Sequence, residues 1–158
     1  MAVIAALALF VGVVWNRTLL RDAWRGNPVS GGAGSVPTLE GVQPLPLGLM
    51  QAKEFFDRRE ATFVDARDSE AFSRGRIAGA RSLPVAKLGP GLGRFRQTVP
   101  LSSLIVVYCT GFSCQDSRTV AEKLQRTGYA TVYVYEGGFP EWQAAGYPVA
   151  KGGLDDRR

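Results

Sequence analysis

The chain has 158 residues, room for one domain of ordinary size. With 46% hydrophobic and 21% charged residues it is neither wholly disordered nor collagen-like, and two cysteines are too few for a disulfide-scaffold mini-protein. It contains no histidine, which excludes a Ser-His-Asp triad, a Cys-His pair, a His-ligated zinc and a His proton shuttle within the chain. The net charge of +5 comes from 19 Lys and Arg against 14 Asp and Glu. Residues 44–150 hold 13 basic and 10 acidic side chains, and the rest of the excess sits in the tails at Arg17, Arg21, Arg25, Arg157 and Arg158. No basic block interleaves with aromatics, so nucleic acid is not an expected partner.

Met1 to Trp15 carries no polar side chain. A membrane-spanning helix needs about 20 apolar residues, and Trp15 and Arg17 suit an interfacial boundary for a segment reaching Leu20. No Lys or Arg precedes the run and no small-x-small cleavage site follows it, which disfavours a cleaved signal. Residues 21–46 are rich in Gly, Pro and Ser and read as a linker, which disfavours a core helix. Segment 1–20 is therefore expected to be a hydrophobic helix serving as a single-pass membrane anchor, with the side of the membrane undetermined. The expected domain follows at 47–150, and 151–158 is a polar tail.

Within the domain, Gln51 to Arg59 has the spacing of an amphipathic helix. Ala61 to Ala66 predicts a buried strand. Ser69 is the expected N-cap of a short helix through Phe72. Ala80 to Pro84 reads as an edge strand stopped by proline, and Lys87 to Pro100 as a loop with one helical turn at most. Leu104 to Tyr108 is a continuous apolar run, as for a central parallel strand covered on both faces. Ser117 to Thr127 is helical, with Gly128 as its stop. Thr131 to Tyr135 is a second buried strand, and Phe139 to Ala145 a short helix with Pro140 early in it. Strands alternating with helices predict an α/β domain with a small parallel sheet flanked by helices. The ligand site of such a sheet lies at the carboxyl ends of its strands.

Cys109 follows the Leu104–Tyr108 strand directly. The expected active loop is Thr110, Gly111, Phe112, Ser113, Cys114, Gln115 and Asp116, and Ser117 and Arg118 open the next helix. Strand, cysteine, loop and helix N-terminus is an arrangement that stabilises a thiolate without histidine, through loop amides and the helix dipole. A small buried cysteine at a strand end is the competing reading. Cys114 makes a Cys-x4-Cys pair with Cys109. It is either a resolving thiol or an unrelated loop residue, because Cα separation is not readable from sequence. Two cysteines supply half a tetrahedral zinc set, so neither metal nor cofactor is expected. Asp65 and Arg67 are expected to pair at a strand end and brace the loop. Gly137 and Gly138 are expected in a tight turn beside it, and Trp142 and Tyr147 on the rim of the core.

The chain resembles the rhodanese homology domain, the thiosulfate sulfurtransferase family. The matching pieces are Phe63-Val-Asp-Ala-Arg67, Glu70-Ala-Phe72, Gly75-Arg-Ile-Ala-Gly-Ala80 running into Leu83-Pro84, and Val106-Val-Tyr-Cys109. Gly128-Tyr129, Glu136-Gly-Gly-Phe-Pro-Glu-Trp142 and Gly146-Tyr-Pro148 complete the series in the family's order. The resemblance implies that Cys109 is the reactive cysteine and that the reaction is sulfane-sulfur transfer through a Cys109 persulfide. It implies a small sulfur-containing anion or persulfide as donor, and a small-molecule or protein thiol as acceptor. Two departures stand out. Arg76 occupies the usual histidine position of Gly-His-Ile. Seven residues, none basic, separate Cys109 from Ser117 where about five are common, often with an arginine. Arg118 is the nearest cation along the chain. The related phosphatases need Cys-x5-Arg, and that position is Gln115.

Three readings stay open. The first is a sulfurtransferase with Cys109 as nucleophile. The second is a redox or sulfur-relay module that uses a Cys109–Cys114 disulfide. The third is a non-catalytic binding domain of the same fold.

Overall fold

Short apolar runs form the strands, and amphipathic stretches cover them. The computed structural model describes residues 43–152. The expected anchor at 1–20, the linker up to 42 and residues 153–158 lie outside the described residues. Strands β1 (Leu45–Leu47), β2 (Ala61–Asp65), β4 (Arg81–Ser82), β5 (Leu104–Tyr108) and β6 (Val132–Tyr135) form one parallel sheet in the order β1-β6-β5-β2-β4. Strands β3 (Arg76–Ile77) and β7 (Val149–Ala150) form a separate antiparallel pair. The helices are α1 (Leu49–Asp57), α2 (Ser69–Arg74), α3 (Leu88–Thr98), α4 (Asp116–Arg126) and α5 (Gly138–Ala144). Among the described residues no helix is long and apolar enough to cross a membrane.

The central strand β5 explains the two-layer core. Successive side chains of a strand point to opposite faces. Ile105 and Val107 join Val64, Leu92, Phe95, Val120, Ala121 and Leu124 on one face, under α3 and α4. Val106 and Tyr108 join Phe63, Ala52, Phe72, Tyr135 and Trp142 on the other, under α1, α2 and α5. Ile105, Val106 and Val107 are completely buried. Each contributes about 1.5–3 kcal/mol of transfer free energy. Trp142 is also completely buried and touches the rings of Phe56, Phe63, Tyr135 and Tyr147. It lies at the centre of this cluster and not on its rim, whereas Tyr147 is half-buried.

Three further expectations change, and one feature was not expected. The linker expected to reach 46 ends sooner, because Leu45–Leu47 pairs in parallel with Tyr133–Tyr135. Pro46 is compatible with a strand there because β1 is at the sheet's edge, with a neighbour on one side only. The segment read as a loop from Lys87 is the helix α3. Leu88, Leu92, Phe95 and Val99 share one of its faces, and the last three are buried. Three glycines and Pro90 hide that pattern in the sequence. Pro90 falls in the first turn, where its missing N–H has no intrahelical partner to lose. A side chain at Gly91 would place its Cβ 3.0 Å from Leu83 Cδ1, so glycine lets the helix settle onto Leu83. The N-cap of α2 is Asp68, not Ser69: its Oδ1 accepts the Ala71 N–H at 2.8 Å. That backbone N–H holds the Asp68 carboxyl below its ordinary range. Finally, the β3–β7 pair closes the domain. Buried Arg76 lies over the Phe72 ring at 4.5 Å and donates to the Gly152 carbonyl at 2.7 Å, while the Gly152 N–H donates to the Ser73 carbonyl.

Candidate active site

In-register pairing sets Leu47, Tyr135, Tyr108, Asp65 and Ser82 side by side across the carboxyl edge of the sheet. Cys109 is the next residue after this row on the central strand. Crossover connections diverge at this edge, so backbone groups there are free to meet a ligand. Cys109 is buried, at 2% exposure. Its carbonyl accepts the Phe139 N–H at 2.9 Å, which ties it to the first turn of α5. The preceding residue, Gly138, has φ +63°. A Cβ there would lie 2.4 Å from the Cys109 carbonyl oxygen and 2.6 Å from the Gly111 nitrogen. The backbone of the β6–α5 turn thus packs directly on the cysteine.

The loop after Cys109 folds back on itself. Cys114 donates its N–H to the Gly111 carbonyl at 3.0 Å, closing a turn that Gly111 enters with φ +125°. Ser117, buried in the first turn of α4, donates its hydroxyl to the Cys114 carbonyl at 3.4 Å. These bonds bring Cys114 over Cys109, with Cα atoms 6.2 Å apart, and the two sulfurs are joined as a disulfide. That separation is inside the range a disulfide spans without backbone movement. Thr110 Oγ1 lies 3.8 Å from Cys109 Sγ. Phe112 stands out from the loop at 76% exposure, and Thr110, Ser113 and Gln115 are exposed with it.

Charges of both signs flank the loop. Arg118 sits exposed in the first turn of α4. Asp116, not a cation, has a carboxylate oxygen within 4.8 Å of both sulfurs. Among the described residues, these three form a cluster of possible metal ligands. With the sulfurs joined to each other they are not thiolate ligands, and the chain has no histidine to complete the set.

Beneath the loop lies a buried ion pair. Arg67 donates from Nε and Nη2 to both oxygens of Asp65, its own N–H bonds Asp65 Oδ1 at 3.0 Å, and Nη2 also reaches the Gly75 carbonyl at 2.7 Å. Asp65 is wholly buried and Arg67 nearly so. Burial works against the guanidinium's charge, but the Asp65 carboxylate outweighs it and raises the Arg67 pKa. The guanidinium lies 4.4 Å from the centre of the Phe139 ring, the residue whose N–H holds Cys109. The Asp65–Arg67 pair thus packs against the residue that holds the Cys109 carbonyl. Tyr108 completes the support: its hydroxyl accepts the Ile77 N–H at 3.1 Å, and burial, followed by the Asp65 charge, pushes its phenol pKa up.

Residue patterns pointed to Cys109, the loop and the Asp65–Arg67 pair. They did not show the Gly138 contact with the cysteine backbone or the stacking of Arg67 on Phe139. The Gly137-Gly138 pair signals a tight turn, but nothing local names the residue it presses against.

Comparison with known proteins adds three findings. A model of the rhodanese-like domain matches residues 49–145. The thiosulfate sulfurtransferase GlpE of Actinobacillus succinogenes is 33% identical over 99 residues, covering 63% of this chain and 84% of that protein. Two solved structures share the fold. A Bacillus halodurans protein matches with a TM-score of 0.61 at 22% identity, over 68% of this chain and 77% of that one. The polysulfide-sulfur transferase of Wolinella succinogenes matches with a TM-score of 0.57 at 20% identity, over 73% and 84%.

Proposed function

We propose that this chain, which belongs to the rhodanese-like domain family, is a sulfurtransferase that carries sulfane sulfur on Cys109. In the reduced protein the Cys109 thiolate attacks the outer sulfur of a thiosulfate-like donor. The donor's S–S bond breaks, sulfite leaves with the bonding pair, and Cys109 becomes a persulfide. A thiolate or cyanide then attacks the outer sulfur of the persulfide, takes that atom, and returns Cys109 as thiolate. The observation that supports this most is the position of Cys109. It lies one residue past the central strand, at the carboxyl edge of the sheet, with its backbone gripped by Gly138 and Phe139. A helix start following the strand favours a thiolate, and the exposed Asp116 carboxylate in the first turn of α4 works against it. The disulfide removes the nucleophile, so this cycle begins with its reduction by two electrons.

The test is thiocyanate production from thiosulfate and cyanide by the fully reduced chain, beside Cys109→Ser. Activity in the wild type and its loss in Cys109→Ser is the expected result. A folded, reduced wild type that makes no thiocyanate and gains no sulfur on Cys109 overturns the proposal. For localisation, the apolar stretch from Met1 to Trp15 supports a membrane anchor over residues 1–20. Membrane association that resists alkaline carbonate and is lost when 1–20 is deleted is the outcome expected of it.

A further inference from the structure

The second sulfur of the loop has no part in the cycle just described, yet the fold delivers it to the first. The Gly111–Cys114 turn, the Ser117 hydroxyl on the Cys114 carbonyl and the 6.2 Å Cα separation hold Cys114 where it bonds Cys109 Sγ without rearrangement. A persulfide on Cys109 presents that same Sγ atom, now carrying the transferred sulfur. The loop that lacks a basic anion clamp is instead arranged to present a thiol.

Resting on the sulfurtransferase reading, we propose that Cys114 is the acceptor that resolves the Cys109 persulfide, so that the chain is a sulfide-releasing reductase of sulfane sulfur whose partner is a dithiol. The Cys114 thiolate attacks Cys109 Sγ, and the bond between Sγ and the transferred sulfur breaks. That sulfur leaves with the bonding pair as hydrosulfide, and the Cys109–Cys114 disulfide forms. The electrons come from the two cysteine thiols, and no outside oxidant is needed. A dithiol then reduces the disulfide and is itself oxidised to a disulfide. Cys109 is 2% exposed while Cys114 is half-buried, so an incoming thiolate meets the Cys114 sulfur and expels Cys109 as thiolate. Because both thiols share one short loop, resolution competes with external thiols as if Cys114 were present at a concentration of mM order or above.

The experiment is a single turnover without oxygen. The full chain is reduced, freed of reductant and mixed with thiosulfate alone, in wild-type, Cys114→Ser and Cys114→Ala forms. Wild type is expected to release about one sulfide per chain, at a rate independent of protein concentration, and to end as the Cys109–Cys114 disulfide. Both Cys114 variants are expected to release sulfite but no sulfide, and to keep a Cys109 persulfide visible by intact mass. With cyanide present at mM concentration they should make about tenfold more thiocyanate than wild type before reductant is added, because wild type drains into the disulfide. A wild type that holds a stable persulfide and releases no sulfide overturns this inference and leaves the sulfurtransferase intact. Absence of persulfide in both Cys114 variants overturns the sulfurtransferase reading and this inference with it.

Discussion

Replacing Gly138 by alanine tests whether the β6–α5 turn positions the reactive cysteine through backbone contact. Two costs arise. A non-glycine residue at φ +63° is disfavoured by about 1–2 kcal/mol. The added Cβ would also sit 2.4 Å from the Cys109 carbonyl oxygen and 2.6 Å from the Gly111 nitrogen, both backbone atoms that cannot swing away. Relieving such overpacking costs about 1–3 kcal/mol more. The total is about 2–5 kcal/mol, a fall in Tm of about 8–20 °C for a domain of this size. Gly137→Ala is the control. Its Cβ would come even closer to another atom, 1.6 Å from Glu141 Oε2, but that atom ends a flexible side chain. Gly137 has φ −65°, which alanine adopts freely. Moving Glu141 gives up its bond from the Tyr135 hydroxyl, worth about 1 kcal/mol. Urea denaturation of both variants reads the difference directly. If Gly137→Ala loses as much stability as Gly138→Ala, the distinction between rigid backbone and mobile side chain is wrong. In that case the proposed grip on Cys109 loses its basis.

Two further outcomes follow from the site. Arg67→Met leaves Asp65 wholly buried beside no cation, and the cost should be about 3–5 kcal/mol by chemical denaturation; the double variant Asp65→Asn with Arg67→Met should recover part of it, and an additive loss would show that the two side chains are not coupled. Asp116→Asn should raise kcat/KM for dianionic thiosulfate about fivefold or more, because at about 5 Å an exposed, screened carboxylate repels each of the two donor charges by roughly 0.5–1 kcal/mol. The gain should fade as salt is raised, and a gain that ignores salt would mean that Asp116 acts by something other than charge.

The sheet was readable wherever burial on both faces forces an unbroken apolar run, as at Leu104–Tyr108 and Thr131–Tyr135. It was unreadable at Leu45–Leu47, where three residues with a central proline give no such run and pairing with β6 decides the matter. Helix α3 was hidden because its glycines lower propensity, while the burial of Leu92, Phe95 and Val99 outweighs them. Local order, strand, thiol and helix, left a buried structural cysteine as an equal reading, and the family resemblance singled out Cys109 and its loop. Whether Cys114 reaches Cys109 was not local. It depends on the Gly111 φ and the turn closed on its carbonyl, and hence on where the loop's backbone bonds go. Arg118, the nearest cation along the chain, sits exposed in the first turn of α4, and what residue order did not show is that the Asp116 carboxylate lies within 4.8 Å of both sulfurs.

The Arg76 guanidinium bears on where this domain can be cut. Its bond to the Gly152 carbonyl lies two residues beyond the last strand and two beyond the boundary that apolar patterning suggests. A fragment ending at 150 would keep every strand but remove this carbonyl acceptor from a 6%-exposed charge, and release Ser73 from its partner as well. A cut after Gly152 keeps both of these ties between the chain's last described residues and the β3 end of the domain.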